Sequence, residues 1–116
     1  MDTNSRYTEL LAIAKQIGDG SIPPYQHSET FTVGAFDLVL TKLRDGEAFA
    51  LLAHACGEYP SVQSDASLLR GYLLMLTDLA QQTNTTERPH GIEAIVNDNS
   101  EQTSVLREWY RIPSSR

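Results

Sequence analysis

Residues 65–82 read DASLLRGYLLMLTDLAQQ, and this stretch decides the fold class. Leu69, Leu73, Leu76 and Ala80 recur three or four residues apart, the spacing of one helical face. Leu68, Tyr72, Met75 and Leu79 widen that face. So broad an apolar surface is expected of a central helix with neighbours on several sides. Ser64 or Asp65 can cap the free amides of its first turn.

Working outward, Tyr7, Leu10, Leu11, Ala14 and Ile17 form a stripe that predicts a first helix over 4–17. Gly18-Asp19-Gly20 stops it, because glycine tolerates the left-handed conformation that ends helices. The prolines of Ser21-Ile22-Pro23-Pro24-Tyr25 lack amide donors and fix the backbone angle, so an extended connector follows. Gly57-Glu58-Tyr59-Pro60-Ser61 reads as a turn, and 83–89 as a polar loop. Ile92 to Val96 is a short apolar element of open type. A last helix is expected over 100–111, with Val105, Leu106, Trp109 and Ile112 as its stripe. Asp98 and Glu101 have the form of a capping box at its start, and Pro113 ends it.

Residues 31–56 admit two readings. As helices, Val33, Phe36, Leu40 and Leu43 make one stripe over 32–44, and Phe49, Leu52, Ala53 and Cys56 a second after Asp45-Gly46. As a hairpin, Phe36, Leu38 and Leu40 alternate with Asp37, Val39 and Thr41, and Asp45-Gly46 is a good two-residue turn. Helices are the expectation, because the second arm is rich in alanine, the best helix former and a poor strand residue. The chain is therefore read as all-α: one domain over 1–116, a compact bundle of four to five helices. The alternative is α+β with a hairpin at about 31–55.

With 41 % hydrophobic and 21 % charged residues the chain has the material for a core and too much of it for disorder. No apolar run approaches the roughly 20 residues that span a bilayer. The opening Met-Asp-Thr-Asn-Ser-Arg lacks the basic start and apolar centre of a secretory signal. Asn84-Thr85-Thr86 is accordingly read as a chance match to a glycosylation acceptor. One cysteine, Cys56, excludes an internal disulfide. A reducing, cytoplasmic setting is expected.

Net charge is -6, unevenly spread. Between residues 46 and 104 stand eight acids against only Arg70 and Arg88. An acidic middle repels phosphates, which disfavours nucleic acid and anionic membranes and favours a basic protein partner.

Residues for chemistry are sparse. His27, His54 and His90 show no His-x-x-x-His spacing, and there is no Cys-x-x-Cys, so neither a metal site nor a cofactor is expected. His54 and Cys56 point about 200° apart on a helix. Cys56 takes a core-stripe position and reads as a buried, inert thiol. There is no glycine-rich phosphate cradle and no Gly-x-Ser-x-Gly elbow, and the carboxylates stand singly. An enzyme built on Cys56 with a histidine, or on a carboxylate pair such as Asp98 and Glu101, is the least favoured reading. Among the aromatics, Tyr25, Tyr59, Trp109 and Tyr110 lie in or beside loops and the terminal helix. Trp109 joins the last helix's stripe, which turns Tyr110 outward between Arg107 and Arg111, and Tyr, Trp and Arg commonly anchor interfaces.

The stretch from Leu68 to Trp109, about a third of the chain, resembles the immunity proteins that neutralise nuclease bacteriocins. It shares an apolar helix, a polar loop with Arg88-Pro89-His90-Gly91, and a final helix with a tryptophan. It lacks their adjacent tyrosine pair, since Ile95-Val96-Asn97 stands in that place, and no residue roles follow from the likeness.

The expected function is therefore binding without catalysis. A small acidic helical protein suits an inhibitor or antidote (immunity protein, antitoxin or phage-borne inhibitor of a nuclease complex) that masks a basic, nucleic-acid-handling partner. The expected face comprises Glu58, Asp65, Asp78, Glu87, Glu93 and Asp98, with Tyr59 and Tyr110 as anchors. The alternative is a structural or chaperone-like module, a homodimer or larger, that associates through Leu68, Tyr72, Met75 and Leu79.

Overall fold

The computed structural model describes residues 3–23, 25–27, 32–44 and 46–113. In chain order these form α1 (Thr3–Gly18), β1 (Tyr25–His27), β2 (Thr32–Gly34), α2 (Asp37–Leu40), α3 (Glu47–Gly57), α4 (Tyr59–Val62), α5 (Ala66–Thr83), α6 (Ile92–Asp98) and α7 (Ser104–Tyr110). The body is all-α, a helical bundle. Its five longer helices are α1, α3, α5, α6 and α7; α2 and α4 are single turns. Beside them β1 and β2 pair antiparallel as a small ribbon, with Gln26 opposite Val33.

α5 is the axis. Tyr72, Leu73, Met75, Leu76, Leu79 and Ala80 are all buried, and α1, α3, α4 and α7 pack around it. Its start is set by Asp65, whose Oδ1 accepts a hydrogen bond from the Leu68 amide at 3.1 Å. Its end is set by Asn84, in the left-handed conformation at φ 55°. The α1–α5 crossing is antiparallel and very close: Gly71 faces the Ala14 carbonyl and Gly18 faces the Ser67 carbonyl. A β-carbon at either glycine would overlap the opposite backbone. Small residues four apart on both helices let the chains approach, and Arg70 seals the crossing by donating to the Gly18 carbonyl at 2.8 Å. The Cα radius of gyration, 13.5 Å, matches the roughly 13 Å expected of one compact domain this size.

Residues 32–44 depart from both readings of the sequence. They form neither one helix nor the first arm of a hairpin over 31–55, but a strand, a turn and the single turn α2. Asp37 Oδ2 accepts from the Gly34 amide at 2.8 Å, so the acid starts a helix where the stripe ran straight through. Phe36, Val39 and Leu40 are buried all the same. The ribbon pairs 25–27 with 32–34 instead, and the expected Asp45-Gly46 turn leads into a helix, α3. Of that pair, Asp45 lies outside the described residues, as does Pro24 of the connector. The turn expected at 57–61 contains α4, which starts at Tyr59 with Pro60 in its first turn, where a missing amide costs nothing.

The last helix starts later than expected, at Ser104. Asp98 is no cap: it ends α6, and its Oδ2 accepts from the Tyr59 hydroxyl at 3.2 Å. The junction is held instead by Thr103, whose buried hydroxyl donates to the carbonyls of Val96 and Asn99 at 3.0 and 2.9 Å. The apolar face also differs from the expected one. Leu106, Tyr110 and Ile112 are buried, Trp109 is half-buried, and Val105 is 45 % exposed.

Candidate functional site

This difference removes one expected anchor. Tyr110 is a core residue, and burial pushes its phenol up to about 12. Of the arginines expected beside it, Arg107 is engaged through its side chain and Arg111 through its backbone carbonyl. Arg107 donates to the Pro113 carbonyl and to Asn97 Oδ1, and the Arg111 carbonyl accepts from Arg88. The side chain of Tyr25 lies outside what the structure describes.

Of the eight carboxylates between residues 46 and 104, Glu93 is paired with Arg88, at 2.8 Å. Arg88 also donates to the Tyr110 and Arg111 carbonyls, and Arg70 to the Gly18 carbonyl, so the acidic stretch's two cations, though exposed, hold backbone carbonyls. Asp78 is half-buried on α5 and makes contacts of its own. Glu87 is exposed in the loop that follows α5.

Three expected residues do meet. Glu58 and Tyr59 join α3 to α4, and Asp98 ends α6 beside them. Tyr59 Oη donates to Asp98 Oδ2 and accepts from Asn99 Nδ2 at 3.1 Å, and its ring stacks on Tyr72 with centroids 6.2 Å apart. Burial pushes the Tyr59 phenol up, so it stays a neutral donor to the carboxylate. An open groove runs on from Asp98, lined by Ala66, Leu69, Asn99, Ser100, Glu101 and Gln102, with Asp65 next to it in the chain.

On the other side of Glu58 lies a group that sequence reasoning missed. His54 Nε2 is 3.8 Å from Glu58 Oε1, one helical turn along. The Tyr7 ring meets the His54 ring edge to face, centroids 5.1 Å apart. Tyr7 is buried, and its phenol is pushed up to about 12 by burial and by the Glu58 charge. Neither Tyr7 Oη nor His54 Nε2 has a hydrogen-bond partner among the described residues. The i, i+4 spacing of His54 and Glu58 was visible in the sequence, but Tyr7 read only as part of a core stripe.

Cys56 is buried, as expected, and burial pushes its thiol up to about 12. Its near neighbours include the phenols of Tyr72 and Tyr110; the ring contact of His54 is with Tyr7. No group of three metal-binding side chains occurs among the described residues. No described helix is long and apolar enough to cross a membrane. Tyr72, Met75 and Leu79, three of the four residues on which the self-association alternative rests, are in the core, and Leu68 is partly buried against it.

The chain matches no protein-family model, and none of the curated proteins or solved structures matches it.

Proposed function

We propose that this is a non-catalytic binding protein that docks Glu58, Tyr59 and Asp98, flanked by Asp65 and Glu101, on a basic region of another protein. Its role is that of an inhibitor or antidote that masks a nucleic-acid-handling partner. The observation that carries this reading is the unbalanced charge: Arg70 and Arg88, though exposed, hold backbone carbonyls and Glu93, while Glu58, Asp65, Asp98 and Glu101 form no salt bridge to an arginine or lysine among the described residues. Uncompensated carboxylates around a half-buried tyrosine give charge for steering and an aromatic surface for contact.

The test begins with affinity capture of the partner from the native host. The association rate constant of the purified pair is then measured from 0.05 to 0.5 M salt. It should fall steeply, by about tenfold or more, if charge steers the encounter. Charge reversal at Glu58, Asp65 and Asp98 together should cost more affinity than reversal at Arg6 and Lys15. Salt-independent association, or equal losses from the two sets, refutes the reading.

A further inference from the structure

Tyr7, His54 and Glu58 bring polar atoms from α1 and from the end of α3 to one place without satisfying them. The Glu58 carboxylate accepts no hydrogen bond among the described residues, and His54 Nε2 stands 3.8 Å from it, beyond hydrogen-bond length. Arg6, next to Tyr7 in sequence, makes no ion pair with it among those residues. Tyr7 is 6 % exposed, and its hydroxyl is unpartnered. A buried tyrosine hydroxyl ordinarily finds a partner, and one left alone needs an explanation.

The chemistry of this corner is one-sided. It offers two carboxylate oxygens, the lone pairs of a phenol and, in one tautomer, an imidazole lone pair, and no strong donor answers them. Access exists at the rim, where the side chains of His54 and Glu58 are 31 % and 41 % exposed. A guanidinium fits this inventory. It is permanently charged, presents five N–H donors in a fixed plane, and sheds water more readily than an ammonium.

Resting on the docking function proposed above, we infer that the Tyr7–His54–Glu58 corner seats one arginine side chain of the partner protein. The Glu58 carboxylate takes the charge, and the Tyr7 oxygen takes a further N–H of the same guanidinium. Bare acids such as Glu87 contribute to steering at most.

A hexa-arginine peptide is a sufficient probe. Binding to the full chain is measured by calorimetry at 50 mM salt and mapped by amide chemical shifts, beside a hexa-lysine peptide. The shifts should centre on Tyr7, His54 and Glu58, with hexa-arginine binding several-fold tighter than hexa-lysine. Glu58→Gln should weaken hexa-arginine about tenfold or more, the size of one charge-assisted hydrogen bond. Tyr7→Phe should weaken it about two- to threefold while leaving the melting temperature unchanged or raised, an outcome that a purely structural hydroxyl would not give. Glu87→Gln, which removes the same charge from the exposed loop after α5, should change binding less than twofold. Shifts centred on Asp98 and Glu101, unaffected by Glu58→Gln, would overturn the corner and leave the acidic docking surface standing. Equal affinity for the two peptides would overturn the arginine preference. No binding of either peptide at low salt would overturn both the corner and the docking function.

Discussion

Two corners of this molecule set polar side chains into apolar surroundings, and they are finished in opposite ways. At the C-terminal corner nearly every donor has a carbonyl. Arg88 holds the Tyr110 and Arg111 carbonyls at 2.9–3.1 Å, Trp109 Nε1 donates to the Thr85 carbonyl at 2.9 Å, and Thr103 ties α6 to α7. The Tyr110 hydroxyl is the exception. Where α1 meets α3, Tyr7 Oη and His54 Nε2 have no hydrogen-bond partner among the described residues, and the Glu58 carboxylate stands 3.8 Å from His54 Nε2. The first arrangement is what folding alone asks for, since a buried polar group left unpaired costs about 1–3 kcal/mol. The second is unfinished as a piece of folding. It becomes complete if something from outside brings donors.

The contrast depends on a frame that holds both corners in place, and the most damaging change is to that frame. Gly71→Ala puts a methyl into the Ala14 carbonyl, with backbone on both sides and no side chain able to yield. The two helices must separate, and overpacking of this kind costs about 3 kcal/mol. Urea denaturation should show a markedly lower midpoint. An unchanged midpoint would mean that α1 and α5 are not in backbone contact, and the position of Tyr7 relative to Glu58 would lose its basis.

Next in size is an assault on the finished corner. Arg88→Met keeps the aliphatic stem but removes the donors to Tyr110, Arg111 and Glu93. Hydrogen bonds from a charged group to carbonyls are worth about 1.5–3 kcal/mol, and the 37 % exposure of this side chain argues for the lower end, about 1.5 kcal/mol. Hydrogen exchange should accelerate in α7 and the 84–91 loop before it does in α1. Uniform acceleration would mean that the corner has no separate integrity.

How much of this was legible in the sequence differs by region for a physical reason. The helices α1, α3 and α5 announce themselves, because their apolar stripes are long and their ends carry local signals: Gly18, Gly46, Asp65. Residues 32–44 and 98–104 misled, because each is governed by one bond that spacing alone does not specify. Asp37 turns back to Gly34, and Asp98 is taken by Tyr59, which lies 39 residues away. The last helix starts at Ser104, with Tyr110 inside and Val105 out. The candidate site was half readable. Glu58, Tyr59 and Asp98 were chosen for charge and for aromatic character in a turn. Tyr7 was not, because a stripe residue that fills the core and one that leaves its hydroxyl unpaired look the same in one dimension.

A third test uses alkali, to which both corners and the core between them respond. The Cys56 thiol ordinarily ionises near 9.0 and in the fold is pushed up to about 12 by burial. Tyr7 and Tyr110 are pushed from 10.0 to about 12. In each case the folded state keeps its proton longer than the unfolded chain does. Their contribution is thus fully present below the unfolded value and is lost as pH rises through the folded one. Stability should hold level to about pH 9 and then decline toward pH 12. Cys56→Ala should flatten the first part of that decline, whatever it does to stability at pH 7. A wild-type midpoint in urea that is the same at pH 8 and pH 11 would contradict the burial of all three groups.

The smallest effect separates the corners most sharply, because it compares two tyrosines that differ by one bond. Tyr72 Oη donates to the Ala55 carbonyl at 2.6 Å; Tyr7 Oη donates to nothing among the described residues. Both rings are buried, and Phe preserves both. Tyr72→Phe should therefore cost about 1 kcal/mol, the net value of a made hydrogen bond, partly offset because Ala55 also accepts from the Glu58 amide. Tyr7→Phe removes a hydroxyl that was desolvated without return, so stability should be unchanged or higher by up to about 1 kcal/mol. Paired chemical-denaturation curves decide it. If Tyr7→Phe is the more damaging of the two, its hydroxyl has a partner inside the fold, and the corner is finished after all. If it is neutral or stabilising, then folding does not account for the hydroxyl, as the inferred role in binding requires.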